Sequence, residues 1–455
     1  MTLVHRLGQF VAHLSAEHIP PPVIEKARTC LLNGYGIALG GHATPFAPVA
    51  RSAALALDGE RHSGGATLLG DGRKTSVEGA ALANSALFHG RAQEDTCGAG
   101  HFGTIMIPLL SALVEARGLP LARMLPSLVA GYEVGGLLES AFGPVTTPAG
   151  LRASPLYGTL AAAAASAHLL GLDAERSAAA LANAASFTGG MLQSFADGTD
   201  EWRYQVGVAA RNGLVATELA RAGSRSAPGA LEGRSGFVRA YVRTDCDVAA
   251  LLARLGREWS VMRVTFKPFP VCAFNQTPVT AALILRERLA GRMLKQVRVR
   301  MNPFETGYAG MDAKGPFESI SGTLMSIPFC IALTLLRGTP TMAAMTTYGD
   351  AAVNDLSHRI ELVTDEKVPV LSCVIEAETA DGAWLLQDQR MTVADFAYDW
   401  DTDSELVRRI GAETGVPTAA YDCIEDFCRD PQRAGIGTVL DAFAMLPRVV
   451  AASAD

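Results

Sequence analysis

A series of alanine-rich segments with apolar residues on several faces constrains the fold of this chain more than any other feature. Residues 158–172 read GTLAAAAASAHLLGL, and comparable segments recur from residue 1 to about residue 258. Helices that are small or apolar on every face are buried on every side, and small side chains let neighbouring helices approach closely. The pattern predicts a large buried helical bundle.

A change of pattern near residue 260 predicts a second domain, as does a length of 455 residues, which exceeds one hydrophobic core. Residues 295–303, KQVRVRMNP, alternate apolar and polar side chains as a half-buried strand does. Residues 368–389 predict two strands around an Asp381-Gly382 turn. One helix is expected over 321–338, and further helices are expected at 401–414 and 436–447.

We therefore predict a mainly α fold with two domains. A large all-helical domain comprises residues 1–259 and 402–455, so that the C-terminal tail packs back on the N-terminal part. A smaller α+β lid domain, residues 260–401, is inserted between them.

Charge and motif content exclude several classes of function. The net charge is −7, from 39 Lys and Arg against 46 Asp and Glu, so no basic face is available for nucleic acid. We expect no secretory signal, because the first thirty residues lack a charged segment followed by an apolar core, and no apolar run reaches about 18 residues. The eight cysteines form no C-x-x-C pair, and no metal, dinucleotide or phosphate-binding motif occurs. We expect a cytoplasmic protein with no metal, no cofactor, and no nucleic-acid or membrane partner.

Four polar segments interrupt the apolar pattern and form the candidate site. Their notable residues are Glu94, Asp95, Thr96 and His101 in 91–108; Arg152, Ser154 and Tyr157 in 148–159, just before a helix expected to begin near Gly158; Trp202, Arg203, Tyr204 and Gln205 in 193–207, a predicted loop; and Lys267, Cys272 and Gln276 in 265–278. Each also has a purely structural interpretation: Asp95 as a helix cap, Arg203 as an ion-pair partner of Glu201. Patterning alone indicates a metal-free pocket rich in Arg, Lys and His.

Several stretches together resemble the MmgE/PrpD family, which includes 2-methylcitrate dehydratase, cis-aconitate decarboxylase and iminodisuccinate epimerase. They include CLLNGYGIALGG, HFGTIMIPLLSALVEARG, YGTLAAAAASAHLLGLD and FKPFPVC, and they follow the family's order over most of the chain. The resemblance implies an all-α domain built from both ends of the chain, an α+β lid, a homodimer and no metal.

The resemblance also shows departures from the family pattern. HGRAQEDT aligns with H-A-x-D-F-D-D-T, which keeps His89, Glu94 (as an acid), Asp95 and Thr96 but replaces the first aspartate by Ala92. His101, Lys267 and Cys272 are also kept. Three family histidines become Arg152, Gln205 and Gln276, and a lysine becomes Trp202. We therefore expect a substrate larger or less charged than a tricarboxylate, and no ordinary 2-methylcitrate dehydration.

The family resemblance implies a metal-independent lyase or isomerase that moves a proton next to a carboxylate or carbonyl of a small organic acid or biosynthetic intermediate. Dehydration, decarboxylation, epimerisation and isomerisation share this step and stay open. The expected catalytic residues are His101, Lys267, Tyr157 and Thr96; the expected substrate-binding residues are Arg152, Arg203, Tyr204, Trp202, Glu94, Asp95, Cys272 and Gln276.

In this reading Lys267 and Arg152 polarise the acceptor oxygen, and His101 transfers the proton. The general base stays open among His101, Lys267, Tyr157 and Glu94. We expect the His101 imidazole and the Lys267 ammonium to meet around one water-filled cavity. The alternative is a non-catalytic, ligand-binding member of the same fold.

Overall fold

The structure is a computed structural model that describes residues 1–447. It is 60% helical with 9% strand, which confirms a mainly α fold. The chain forms two compact units: the first comprises Met1–Gly190, Arg203–Val264 and Tyr398–Asp455, and the second comprises Met191–Trp202 and Thr265–Ala397. The last eight residues of the predicted helical domain, 448–455, lie outside the described part of the chain.

Helices account for most of residues 1–264. They are α1 (Leu3–His13), α2 (Pro21–Gly40), α3 (Phe46–Asp58), α4 (Val77–Phe88), α5 (Gly103–Arg117), α6 (Met124–Thr146), α7 (Ala153–Leu169), α8 (Ala174–Phe187), α9 (Gln193–Asp197), α10 (Glu201–Arg221) and α11 (Val248–Arg254). Short strands are β1 (Ala66–Thr67), β2 (Lys74–Thr75), β3 (Thr96–Cys97) and β4 (Val264–Thr265), and a π-helical turn covers Val238–Val242.

The first unit is a helical bundle around α7, a helix that has no polar face to expose. Every residue of α7 is buried, and α7 packs along α6. Helix α1 crosses α8 at Gly8, where a Cβ atom would lie 2.6 Å from the backbone nitrogen of Ala178. Only glycine permits this backbone approach. The C-terminal helices α19 (Trp400–Thr414), α20 (Thr418–Arg429), α21 (Pro431–Ala434) and α22 (Ile436–Ala444) belong to the same unit, and α19 packs against α2.

The second unit is built on a four-stranded sheet. Its strands β5 (Leu294–Met301), β6 (Ile360–Thr364), β7 (Ser372–Thr379) and β8 (Trp384–Arg390) lie in the order β6-β5-β7-β8, with β5 and β6 parallel and the other pairs antiparallel. Its remaining helices are α12 (Gln276–Leu289), α13 (Pro303–Thr306), α14 (Ile320–Met325), α15 (Ile327–Arg337), α16 (Met342–Met345), α17 (Ala351–His358) and α18 (Val393–Phe396). Helix α12 covers β7 and β8.

Local pattern predicted β5 and the β7–β8 hairpin correctly, and both are confirmed. Val297, Val299 and Met301 alternate inward on β5, and Gly382 takes a φ of 85° at the hairpin turn. Strand β6 was not predicted. Its residues Ile360–Thr364 contain one fully buried side chain, Ile360, so no clear alternation marks it.

Three expected boundaries were wrong. The single helix expected at 321–338 is two helices, because Ser326 adopts an extended conformation and caps α15, with Pro328 in its first turn. Helix α7 begins at Ala153 rather than near Gly158. The loop expected over 193–207 is mostly helical, in α9 and α10. Trp202, Val206 and Ala209 are buried at helical spacing there, but the polar residues between them hid the period.

Candidate functional site

The candidate site of the first unit is centred on the connection between α4 and α5. His89 follows the last residue of α4, and Gly103 opens α5. Between them Glu94, Asp95 and Thr96 are at most 5% exposed. Burying carboxylates is costly unless they are paired or hydrogen-bonded, so this segment depends on polar partners from other helices.

One carboxylate oxygen of Glu94 lies between two imidazoles. Its Oε1 is 3.1 Å from Nδ1 of His89 and 3.3 Å from Nδ1 of His101. The two rings are 5.3 Å apart between centroids. A single buried carboxylate therefore serves two histidines that are twelve residues apart in sequence.

The tautomer of His101 follows from its second contact. Nδ1 is 2.9 Å from the backbone carbonyl oxygen of Asp95, which can only accept a hydrogen bond, so Nδ1 carries a proton. In the neutral ring Nε2 then carries the lone pair. The side chain is 17% exposed, more than the other groups of the cluster, and its backbone N–H donates to Ser154 Oγ at 3.1 Å.

The protonation of His89 is fixed by an arginine. Nη2 of Arg152 lies 2.7 Å from Nε2 of His89, and a guanidinium only donates, so Nε2 accepts and the proton of the neutral ring is on Nδ1, facing Glu94. Burial lowers the pKa of His89 to about 4; Glu94 opposes this shift, and Arg152 and Arg203 reinforce it. His89 is a neutral imidazole near pH 7.

Arg152 is held by more than His89. It precedes the first residue of α7, its backbone N–H donates to the carbonyl of Gly190 at 3.1 Å, and Nη1 donates to Oε1 of Gln205 at 3.2 Å. Arg152 and Gln205 both stand where the family pattern has histidines. Two of the departures therefore contact each other.

Arg203 was expected to bind substrate, and its described contacts are with the protein. It is fully buried, and Nη1 donates to the carbonyls of His89 and Gly90 at 3.0 and 2.7 Å. Its guanidinium carbon lies 3.7 Å from the centroid of the Phe46 ring. These contacts fix the end of α4, where His89 begins the site segment.

Asp95, Tyr157 and Tyr204 also contact the interior of the first unit. The hydroxyl of Tyr132 donates to Oδ2 of Asp95 at 2.5 Å. The hydroxyl of Tyr157 bonds to that of Thr146 at 2.7 Å, and burial raises the pKa of Tyr157. The Tyr204 ring packs against apolar side chains of α3 and α4, in a cluster of Ala50, Ala54, Leu68, Leu82, Ala83 and Ala86.

Lys267, Cys272 and Gln276 lie in the second unit, in the segment that leads into α12. Lys267 is 4% exposed. Burial raises the pKa of the Cys272 thiol to about 11, partly offset by hydrogen bonds from the backbone and by the charge of Lys267. The amide nitrogen of Gln276 donates to the carbonyls of Phe269 and Val271 at 3.0 Å, and its oxygen accepts from the N–H of Phe269 at 3.1 Å. Gln276 thereby shapes the turn after Lys267.

Trp202 belongs to the second unit together with the rest of Met191–Trp202, which we had placed in the helical domain. Its indole N–H donates to Ser321 Oγ at 3.2 Å, and its ring lies 5.1 Å from that of Phe195. Phe195 in turn lies 5.9 Å from Tyr308. The residue that replaces a family lysine is part of an aromatic cluster.

The predicted site residues thus fall into two sets. Glu94, Asp95 and His101 are brought together with Arg152 in the first unit; Lys267, Cys272 and Gln276 share one segment of the second. His89 was not among the expected site residues, although it stands directly after an apolar helix and five residues before Glu94. That position was the signal that could have identified it.

Two further observations concern chemistry and location. Within residues 1–447, no three His, Cys, Asp or Glu side chains are grouped so that they could hold a metal ion. No helix in the same range is both long enough and apolar enough to span a bilayer.

Comparison with known proteins gives two family matches and several relatives. The MmgE/PrpD N-terminal domain matches residues 5–248, and the MmgE/PrpD C-terminal domain matches residues 269–396. The chain is 29% identical over 280 residues to the cis-aconitate decarboxylase-like protein oryM of Aspergillus oryzae, which is 57% of each chain. It is 25% identical over 353 residues to a cis-aconitate decarboxylase of Aspergillus terreus, covering 72% of this chain and 70% of the relative. It is 27% identical over 259 residues to the alkylcitrate dehydratase phiI of a fungal species, covering 54% and 48%.

Proposed function

The chain belongs to the MmgE/PrpD family, and from this we propose that it is a lyase of the dehydratase or decarboxylase type, or an isomerase. Its substrate would be a small organic acid or biosynthetic intermediate, and the reaction would move a proton next to a carboxylate or carbonyl. The relatives support this proposal, since they are named as a decarboxylase, a decarboxylase-like protein and a dehydratase.

The observation that carries the proposal is the hydrogen bonding of His101. Its Nδ1–H is held by the Asp95 carbonyl at 2.9 Å, with the Glu94 carboxylate 3.3 Å away, so Nε2 is the basic nitrogen. A carboxylate beside the N–H of an imidazole stabilises the imidazolium that forms when the ring accepts a proton. We assign the proton transfer to His101, with Glu94 as its counter-charge.

Lys267 is the proposed electrophile. A cationic ammonium can bind a carboxylate or carbonyl oxygen and lower the cost of negative charge on the adjacent carbon. Thr96 and Trp202 are proposed substrate contacts, with Thr96 orienting the substrate. The hydrogen bonds of Gln276 and Tyr157 within the protein favour structural roles for both, so the catalytic proposal depends on His101 and Lys267.

The substrate is proposed to carry fewer carboxylates than a tricarboxylate. Arg152 and Arg203 donate to His89, Gln205 and backbone carbonyls, and Glu94 and Asp95 add buried acidic groups to the same cluster. The two guanidinium groups of this region therefore donate mainly to acceptors within the protein. Monocarboxylic and dicarboxylic acids with an apolar substituent fit this balance better.

The test has two stages. Thermal-shift measurements with a panel of mono-, di- and tricarboxylates select ligands, and product analysis with each ligand then detects turnover. We expect a mono- or dicarboxylate to be converted, and His101→Ala or Lys267→Ala to lower kcat by about 10²-fold or more. His101→Asn is the matched variant, because its amide can still donate to the Asp95 carbonyl but cannot serve as a base.

The exposed residues His18 and Lys367 provide controls of the same residue types. His18→Ala and Lys367→Ala should keep the wild-type rate. Stabilisation by a ligand without any turnover would refute the enzymatic proposal and favour a binding protein. Wild-type rates in both His101→Ala and Lys267→Ala would refute the assigned residues.

A further inference from the structure

In the cluster of His89, Glu94, His101 and Arg152, the proposed proton transfer does not use the imidazole of His89. Glu94 can act as counter-charge to only one imidazolium at a time, yet two histidines face the same carboxylate oxygen, at 3.1 and 3.3 Å. If His89 were protonated it would neutralise Glu94. The state of His89 therefore decides whether the charge of Glu94 is available to His101.

Burial is the largest cause of the neutral state of His89. Arg152 reinforces that state through contact and charge. It donates to Nε2 of His89 at 2.7 Å, so the lone pair of that nitrogen is already engaged and cannot take up a proton without breaking the contact. Protonated His89 would also be a cation in contact with a guanidinium. The charged or titratable groups that face His89 are Arg152, Arg203, Glu94 and His101, and Glu94 is the one that would favour its protonation.

We propose that Arg152 is a positioning residue that keeps His89 neutral, so that the Glu94 carboxylate serves His101 alone. Arg152 stands where the family pattern has a histidine, and a neutral histidine there would not impose this state. This role rests on the proposed function only in naming His101 as the base. The protonation states themselves can be measured without turnover.

The first measurement needs no variant. Nitrogen-15 chemical shifts of histidine-labelled protein distinguish the two neutral tautomers and the imidazolium. His89 should be the Nδ1–H tautomer and should not titrate between pH 5 and 8. A His89 that carries its proton on Nε2, or that titrates with a midpoint near 6.5, would overturn the proposal.

The second measurement removes the cation. In Arg152→Gln the titration midpoint of His89 should rise from its lowered value toward the range of pH 5 to 8, and the titration midpoint of His101 should move to lower pH. The expected shift is about one pH unit or more, because two imidazolium rings with centroids about 5 Å apart repel each other across a partly buried site. Arg152→Lys retains a cationic donor and should leave both histidines as in the wild type.

A double variant separates this effect from the simple loss of a positive charge. With His89→Asn, position 89 cannot be protonated but can still donate to Glu94. Removing Arg152 in that background should leave the His101 midpoint unchanged or raise it. A downward shift of equal size with and without His89 would overturn the proposal.

Activity measured on the same variants keeps this proposal distinct from the proposed function. If the titrations behave as described and His101→Ala still converts substrate, the role of Arg152 is supported and the assignment of His101 as the base is wrong. If His101→Ala is inactive but His89 stays neutral in Arg152→Gln, the base assignment stands and the role of Arg152 fails.

Discussion

Asp403→Asn should remove a pH dependence from the stability of the helical unit. Asp403 lies on α19, is 0% exposed, and accepts a hydrogen bond of 2.7 Å from Nδ2 of Asn33 on α2. Burial raises its pKa to about 8; Asn33 and Lys26 oppose the shift, and Asp95 reinforces it. Asparagine has the same shape and can still accept from Asn33, so the change removes ionisation alone.

The magnitude follows from the difference between folded and unfolded pKa values. The unfolded carboxyl ionises near its ordinary value of 3.8, whereas the folded one stays protonated up to about 8. Between these values the folded state binds more protons, so stability falls as pH rises, by about 1.4 kcal/mol per pH unit. From pH 5 to pH 7 the wild type should lose about 2 to 3 kcal/mol relative to Asp403→Asn.

Urea unfolding followed by circular dichroism at pH 5, 6 and 7, at constant ionic strength, measures this difference. Asp401→Asn is the matched control, because Asp401 is exposed on the same helix. It should leave the pH dependence of the wild type in place. Parallel stability curves for the wild type and Asp403→Asn would refute the reasoning. If the free energy of unfolding of the wild type rises with pH relative to that of Asp403→Asn, Asp403 is instead ionised and paired with Lys26.

Two further predictions concern backbone geometry. Gly8→Ala should destabilise the helical unit by about 2 kcal/mol or more, because the added Cβ would lie 2.6 Å from the backbone nitrogen of Ala178. The loss should appear as a lower urea midpoint, and an unchanged midpoint would contradict this helix crossing. Ala290→Gly should stabilise the second unit by about 1 kcal/mol in the same assay, since Ala290 is an exposed residue with φ 49° at the end of α12. A loss of stability would show instead that the methyl group of Ala290 is needed.

Sequence pattern was a good guide wherever one local rule dominated. Val297, Val299 and Met301 alternate on β5 as their spacing predicted, and a glycine with positive φ forms the β7–β8 turn. The pattern failed at 193–207, because α10 buries Arg203 through hydrogen bonds to backbone carbonyls. In the sequence, a buried arginine that donates to backbone carbonyls cannot be told from an exposed one, so its helix was predicted as a loop.

The candidate site divides in the same way. Glu94, Asp95 and His101 could be selected from the sequence, since polar residues between two apolar helices are costly to bury without hydrogen-bond partners. His89 could also have been selected from its position, but its contact with Arg152, sixty-three residues further along the chain, could not be predicted. The contact between Arg152 and Gln205 was likewise invisible, although each had been noted as a departure from the family pattern.

The amino-acid sequence by itself determined the helical bundle and strands β5, β7 and β8, because these follow from residue types repeated at a helical or strand period. It also marked the polar segments that interrupt this repetition. Tertiary structure alone decided which nitrogen of each histidine carries the proton and which charge faces Glu94. Those properties depend on distances of about 3 Å between side chains from separate helices and loops, and no local period in the chain encodes such distances.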